Sequence, residues 1–387
     1  MLSLTLCYGE YTMKNKYHLL AISLSALLPF SALATTYPVT ITDTDGQKIT
    51  LKHEPKRVVL QDGRDILTLA LLDRNNPFER VVAWNNNLKK SDPQTVSLLE
   101  QKWKSNINSI PDMGFNDKGE VNAEQVIAQQ PDVVIAQLRA KPALEGSGVV
   151  SILKEANIPI IYVDTFLEPV KNTKESVELL GIILNKESEA KEYTDFYQQH
   201  LDSIKNKTQE IKNKPRVFVE AKAGANGDGC CFTHNNAGWG GLIQAVGGDN
   251  IGSHFLPGAS GVISLEQVIS TKPDVYIVTG SRWINKNSIA TPFGYGVSSK
   301  ETQEGFKRLK SRIGFNQIAA VENGQLYGIY HNFYNHPYNI VGLEYLATFI
   351  YPEQFAELKP ENTYKEIIEK YTTLPSAKFL WAAKADK

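Results

Sequence analysis

The sequence predicts an α/β protein of two Rossmann-like lobes, each built on a parallel sheet, with a single long rigid helix between them. Two observations predict this class. Short strands that are apolar throughout alternate with helical patterns, as in parallel sheets covered by helices on both faces. In addition, EQVIAQQPDVVI at Glu124 and EQVISTKPDVYI at Glu266 match at eight of twelve positions, 142 residues apart. The same helix-and-strand unit therefore occurs in both halves of the chain.

The chain length and the net charge limit the number of lobes and the class of partner that can be expected. A chain of 387 residues is too long for one small core and is typical of two lobes. The formal net charge is −1, so the chain lacks the basic excess of a protein that binds polyanions. Nucleic acid is therefore not an expected partner.

The N-terminus has the pattern of an export signal. A basic segment at 13–16 precedes an apolar run at 19–30, and Ala32-Leu33-Ala34 fits a small-x-small cleavage site. The apolar run is too short for a transmembrane span. We expect residues 1–34 to be a signal peptide that is cleaved near Ala34, which leaves a soluble periplasmic protein. No cysteine lies at the cleavage site, so a lipid anchor there is not expected; the alternative is an uncleaved membrane anchor.

Cleavage would remove Cys7 and leave Cys230 and Cys231, which are adjacent. Two neighbouring thiols in an oxidising compartment can form a vicinal disulfide, and we predict one here. The alternative is a reduced pair. A metal site is less favoured, because the nearest further ligand, His234, has no second cysteine pair beside it.

Strand and helix signals follow one another along the chain. Alternating β-branched residues around Asp45-Gly46 predict a hairpin over 39–51. Apolar strands are predicted at 57–60, 81–84, 133–136 and 160–163, and again at 216–220, 275–279 and 326–330. Between the two groups, residues 167–212 are rich in Glu, Lys, Gln and Leu at helical spacing, which predicts one long helix, with a possible interruption near 181–185. The predicted organisation is a lobe at 35–168, a linking helix region at 169–213 and a lobe at 214–387.

The repeated unit carries a glutamate in the first turn of each predicted helix. Asn122 and Ser264 precede the two helices as capping residues, and this places Glu124 and Glu266 on the surface. A glutamate in a first turn can simply complement the helix dipole. Two in matching places also suit a partner that binds both through arginines.

The order of the motifs resembles one family. PDMGF at Pro111, the first repeat unit, the long helical stretch, AVGGDNIG at Ala245 and the second repeat unit are similar to the substrate-binding proteins of bacterial ABC importers for ferric siderophores, haem and cobalamin. The opening hairpin and PKRVV at Pro55 match as well, so the resemblance covers nearly the whole mature chain. It implies class III binding proteins, whose lobes share a rigid helix and hold ligand in the cleft between them. It also implies that Glu124 and Glu266 dock on arginines of the permease.

Ligands of open α/β sheets bind beyond the carboxyl ends of the strands. That rule selects candidate residues after each predicted strand: Arg64, Trp84, Arg139, Lys222, His234, Trp239, Arg282 and Trp283. The segment YHNFYNHPYN after the last strand adds Tyr330, His331, Tyr334 and His336. Tyrosine and histidine can ligate ferric iron, rings can stack on a chelate, and arginine can bind an anion. Part of this segment could instead be core packing, and any metal ligand is left unassigned.

These patterns favour a binding protein over an enzyme. We expect a monomeric periplasmic receptor without an intrinsic cofactor, which captures a ferric siderophore or related Fe(III) chelate and delivers it to an inner-membrane ABC permease. Haem, cobalamin, a bare metal ion and a small oxyanion are the alternatives in this class. A metalloenzyme using His331, His336 and Glu344 is less favoured, since the histidines are not spaced i, i+4 on a helix and no nucleophile–base pair is evident.

Overall fold

The computed structural model describes residues 34–283 and 287–387, so the predicted signal peptide lies outside the described residues except for Ala34. The strands are β1 Val39–Thr42, β2 Lys48–Leu51, β3 Val58–Leu60, β4 Val81–Trp84, β5 Val133–Gln137, β6 Ile160–Val163, β7 Arg216–Glu220, β8 Phe232–His234, β9 Asp249–Asn250, β10 Ser260–Val262, β11 Val275–Gly280, β12 Gly294–Tyr295, β13 Leu326–Tyr330, β14 Phe379–Leu380 and β15 Ala382–Lys384.

The helices are α1 Ile66–Leu72, α2 Asn87–Ser91, α3 Pro93–Ser109, α4 Ala123–Ala128, α5 Lys141–Gly146, α6 Val149–Glu155, α7 Lys171–Ile183, α8 Glu187–Thr208, α9 Gly238–Ala245, α10 Leu265–Thr271, α11 Ser299–Lys310, α12 Ala319–Glu322, α13 Asn339–Ile350 and α14 Pro360–Tyr371. Within the described ranges, none of these helices combines the length and the apolar character needed to cross a bilayer.

Two parallel sheets confirm the predicted α/β class. The first has the strand order β4-β3-β5-β6 and is parallel throughout. The second has the order β15-β13-β11-β7-β9, in which only the edge strand β15 runs antiparallel. Each of the seven predicted apolar strands occurs within one residue of its expected bounds, and the predicted hairpin is the β1–β2 pair. The short strands β8, β9, β10, β12, β14 and β15 carry too few residues for a recognisable pattern.

The repeated Pro-Asp pair has a structural role in both sheets. Asp132 accepts hydrogen bonds from the backbone N–H groups of Lys56 and Arg57, at 2.7 and 2.8 Å, where the chain enters β3. Asp274 accepts in the same way from the backbone N–H of Arg216 at the start of β7, at 2.8 Å. Both arginine side chains also donate to carbonyls at the end of the preceding repeat helix. The repeat therefore joins a helix, the strand that follows it and the neighbouring strand.

Replacing either aspartate by alanine is expected to destabilise the fold. A hydrogen bond to a charged group contributes about 1.5–3 kcal/mol, and Asp132 makes two while being the less exposed of the pair. We expect Asp132→Ala to cost about 2 kcal/mol and Asp274→Ala about 1 kcal/mol in urea-unfolding free energy. The Asp132→Asn variant keeps an acceptor oxygen and serves as the control, with less than half of the loss. Equal losses for Ala and Asn would contradict this role.

Both repeat helices begin as predicted. Asn122 accepts from the backbone N–H of the third residue of α4, at 3.0 Å. At α10, Ser264 and Gln267 form a complete capping box, with bonds of 2.9 and 3.2 Å. Glu124 and Glu266 lie in the first turns of these helices, and both side chains are exposed.

The linking region consists of two helices, with the interruption inside the range that the sequence indicated. Asn185 adopts a left-handed conformation, with φ of 56°, just after α7. The backbone N–H of Lys186 donates to the carbonyl of Gly181 and that of Asn185 to the carbonyl of Ile182, which is a Schellman stop. The chain then turns into α8, and a Cβ on Gly181 would lie 2.5 Å from that of Ala190. The two helices therefore pack closely against each other.

The two lobes share a hydrophobic core. One continuous cluster of buried residues includes strands of both sheets and the inner face of α8. Polar contacts cross between the lobes as well: the hydroxyl of Tyr330 donates to Asp92, and that of Tyr338 donates to the carbonyl of Leu67 at 3.1 Å. The lobes are packed on each other over a broad buried surface, while the exact boundaries at 168/169 and 213/214 remain predictions.

Candidate functional site

A cleft of about 570 Å³ lies at the carboxyl ends of the parallel strands of both sheets. Its volume falls in the usual range of small-molecule sites. Most of the lining side chains follow β3, β4, β5, β6, β7, β11 and β13, where the topology of open α/β sheets places ligands, and the others lie in β8 and β10. They are Arg64, Asn87, Lys90, Ser91, Asp117, Arg139, Phe166, Lys222, Ala225, Asn226, Phe232, His234, Ser260, Trp283, His331, Asn332 and Tyr334.

Two arginines that line the cleft donate hydrogen bonds to one shared carboxylate. The Nε of Arg64 donates to Asp62 at 2.9 Å, and Arg139 donates to the same carboxylate. Arg139 also donates to Asp117 at 3.1 Å and to Gln137 at 3.1 Å. Both guanidinium groups are thereby fixed in position before any ligand arrives. Such preorganisation reduces the entropy cost of binding.

The charge of this arrangement is positive. Burial acts to raise the pKa of Asp62, but the charges of Arg64 and Arg139 outweigh it and hold that pKa below its ordinary value. For the neighbouring Asp65, burial together with the charge of Asp62 raises the pKa to about 8. Asp62 is therefore ionised and Asp65 is neutral near pH 7. Arg64, Arg139, Lys90 and Lys222 together outweigh the carboxylates of Asp62 and Asp117. This excess of positive charge favours an anionic ligand.

Six rings also line the cleft and are here called the aromatic wall: Phe166, Phe232, His234, Trp283, His331 and Tyr334. The ring of Tyr334 lies between those of His234 and His331, with centroid separations of 5.0 and 4.9 Å. Trp283 packs edge-on against His331 at 5.3 Å. Phe166 packs against His234 at 5.5 Å. These rings line the same cleft as the arginines and lysines.

The two histidines of the wall are neutral. Burial, followed by the charge of Lys222, lowers the pKa of His234 to about 3. Burial also lowers the pKa of His331 well below its ordinary value, with further contributions from Lys222, His234 and Arg64. Their hydrogen-bonding capacity is therefore that of the neutral imidazole.

The segment after β13 divides its side chains between the cleft and the core. Residues 331–335 form a 3₁₀ turn, in which positions i and i+3 point the same way. His331 and Tyr334 share the face toward the cleft. Tyr330, Phe333 and His336 share the other face and surround a buried void of only about 10 Å³. Tyr330 and His336 were both expected to contact ligand, but they lie inside the packed interior.

Three further predicted residues do not line the cleft. Trp84 is fully buried and packs on Phe78 with a centroid separation of 5.9 Å. Trp239 is fully buried behind Tyr334, at 6.1 Å. Burying a large indole is more favourable than leaving it at a wet rim. Arg282 lies in a separate surface hollow, paired with Glu301 of α11.

Sequence reasoning also missed residues of the site. Phe166 and Lys90 lie on a loop and on α2, without a motif around them. Gly238 is detectable only from the structure: its φ is 49°, and a Cβ there would lie within 2.8 Å of Phe166, His234 and Tyr334. The glycine-rich GWGG at the start of α9 is the one signal that could have indicated this close approach.

Cys230 and Cys231 are joined by a disulfide in the structure. They end the loop from β7 and lie directly before β8, whose Phe232 and His234 line the cleft. The backbone N–H and carbonyl of Cys231 also pair with those of Ile263, at 3.2 Å each. The pair thus belongs to the framework that supports the aromatic wall.

The described residues contain no group of three His, Cys, Asp or Glu side chains placed to hold a metal ion. The trio of the metalloenzyme alternative is not assembled either: Glu344 pairs with His200 at 2.6 Å, and His336 lies in the core. The cleft is lined by fixed cations and by aromatic rings, and these are features of a binding surface.

Comparisons with known proteins agree with this geometry. Residues 70–332, more than half of the chain, match the family model described as periplasmic binding protein. A TroA-like periplasmic binding protein from Veillonella parvula, FepB, superposes with a TM-score of 0.80 at 28% identity, covering 90% of this chain and 100% of that one. A Bacillus subtilis ABC transporter substrate-binding lipoprotein, YvrC, is 24% identical over 83% of this chain and 88% of its own length.

A more distant structure shows the fold alone. The Haemophilus influenzae molybdate periplasmic binding protein MolA, bound to molybdate, has a TM-score of 0.66 at 17% identity, over 88% of this chain and 99% of that one. The two sheets, the cleft at their carboxyl ends and the family match lead to one conclusion: this chain belongs to the periplasmic binding protein family, as a class III substrate-binding protein of an ABC transporter and not an enzyme.

Proposed function

We propose that this protein captures an anionic metal chelate, preferentially a ferric siderophore, and delivers it to an ABC permease in the inner membrane. The proposal rests on one observation: the fixed cations and the aromatic wall line the same cleft. Ferric catecholates and similar chelates combine net negative charge with flat rings. Arginine can bind the negatively charged oxygens, and aromatic side chains can stack on the flat rings.

Size separates this ligand from the oxyanion alternative. A tetrahedral oxyanion such as molybdate needs only a few donors in a small pocket. It would occupy a minor part of a cleft of about 570 Å³ and leave the aromatic wall without contacts. A siderophore-sized molecule can contact the cations and the aromatic wall at the same time. Haem and cobalamin are large enough, but the cations favour a ligand with more negative charge.

Delivery is assigned to the exposed glutamates of the two repeat helices. Glu124 and Glu266 lie at equivalent places in the two lobes and are both exposed. The resemblance to importer proteins assigns them to permease docking. Export to the periplasm by a signal peptide cleaved near Ala34 belongs to the same proposal, since the permease must be approached from outside the cytoplasm.

Titration of the purified protein tests the ligand class. We expect a ferric tris-catecholate, which is anionic and carries aromatic rings, to bind with micromolar or tighter affinity. Binding should quench tryptophan fluorescence, because Trp283 lies at the cleft. The matched probes are haemin, cyanocobalamin and molybdate. Tighter binding of one of these than of every ferric chelate would reject the siderophore assignment.

A further inference from the structure

We infer that His234 and His331 act as hydrogen-bond donors to anionic oxygens of the bound ligand and do not ligate its metal. The inference rests on the proposed function and specifies how the ligand is bound. The inference follows from the hydrogen-bond partners of the Nδ1 atoms of the two histidines. Those contacts fix which nitrogen of each imidazole carries the hydrogen.

The tautomer of His234 is set by a backbone group. Its Nδ1 lies 3.1 Å from the backbone nitrogen of Trp239, which can only donate. Nδ1 must therefore accept and cannot carry a hydrogen. In the neutral ring the hydrogen then lies on Nε2. Gly238 makes this contact possible, because any Cβ at that position would collide with Nδ1, at 2.6 Å.

The tautomer of His331 is determined in a similar way, by a buried hydroxyl group. Its Nδ1 lies 2.7 Å from Oγ1 of Thr279, which is almost fully buried. That oxygen already accepts from the backbone N–H of Lys222 at 2.9 Å. A buried hydroxyl needs an acceptor for its own hydrogen, and Nδ1 of His331 provides it. The hydrogen of this imidazole is thus also on Nε2.

Metal ligation requires the opposite arrangement. A histidine that binds a metal donates its other ring N–H to a carboxylate, a carbonyl or water, which leaves a lone pair for the metal. In this cleft the second nitrogen of each ring faces a donor, so the ring offers N–H on its ligand side. Donors of this kind, near two arginines, suit catecholate, hydroxamate or carboxylate oxygens. The preferred cargo is accordingly a chelate whose metal is already fully coordinated.

Spectroscopy of the parent protein tests this directly. A ferric tris-catecholate has a filled coordination sphere, whereas a ferric bis-catecholate has open positions that a histidine could fill. We expect the tris complex to bind at least as tightly as the bis complex. We also expect the charge-transfer absorption band of the bis complex to keep its position on binding. A band shift that disappears in His234→Gln or His331→Gln would overturn the inference.

Paired substitutions give a second readout. Glutamine places an amide N–H near the position of Nε2, so His234→Gln and His331→Gln should keep affinity for the tris complex within about threefold. Leucine removes the donor, so the matching Leu variants should bind about tenfold more weakly. Circular dichroism confirms that each variant is folded. Equal losses for Gln and Leu would contradict the inference. Failure of every ferric chelate to bind the parent protein would instead reject the proposed function itself.

Discussion

Cells that carry this protein with Glu124→Ala and Glu266→Ala together are expected to lose chelate uptake, while the purified double variant binds ligand as tightly as the parent. Both side chains are exposed at the starts of α4 and α10 and make no part of the cleft. Truncating one partner of a desolvated charge pair at an interface costs about 2–5 kcal/mol. Two such losses would weaken docking on the permease by about a thousandfold or more.

Uptake of a radiolabelled ferric chelate in a strain lacking its own copy measures the effect. The matched control is Glu155→Ala with Glu369→Ala, since these glutamates are also exposed, one in each half of the chain, and lie outside the first turns of their helices. The control pair should transport normally. Normal uptake by the Glu124/Glu266 variant would remove these residues from the docking surface.

Arg139→Gln is expected to weaken ligand binding about ten- to hundredfold. Arg139 is fixed at the cleft by Asp62 and Asp117, and a hydrogen bond to a charged ligand group contributes about 1.5–3 kcal/mol. Arg64 still pairs with Asp62 in this variant, so the buried carboxylate keeps a partner and the fold should survive. Fluorescence titration with a ferric tris-catecholate measures the loss, and thermal melting checks the fold.

Arg282, which the sequence also selected as a ligand candidate, provides the control. Arg282 follows β11 much as Arg139 follows β5, but it lies in a separate hollow and pairs with Glu301. Arg282→Gln should bind the same chelate within about twofold of the parent, as a surface pair contributes little. If both variants lose affinity alike, ligand contacts extend beyond the cleft described above.

The sheets could be predicted because their strands carry apolar runs, such as residues 133–136 in β5 and 275–278 in β11. The repeat units could be predicted from their caps, although the sequence did not reveal why the aspartates recur. Asp132 bonds to the backbone of Arg57, 75 residues earlier, and Asp274 to that of Arg216, 58 residues earlier, so their partners are defined only by the sheet. The break between α7 and α8 depends on one left-handed residue, Asn185.

The site was harder to predict because side-chain direction depends on local turns. Arg139 belongs to a 3₁₀ turn over Leu138–Ala140, which directs it to Asp62, whereas no such turn follows β11 at Arg282. In the segment after β13, a three-residue period separates His331 and Tyr334 from their neighbours. That period cannot be told from a helical or extended one in so short a stretch.

The continuous core also limits how such a protein can change its cargo during evolution. One continuous cluster of buried residues packs the two halves on each other and on α8, although the other face of the first sheet has a separate cluster of its own. Exchanging one half with a relative would bring together interiors that do not fit. New preferences are more accessible through substitutions at the rim, where the side chains of Lys90 and Ser260 are exposed.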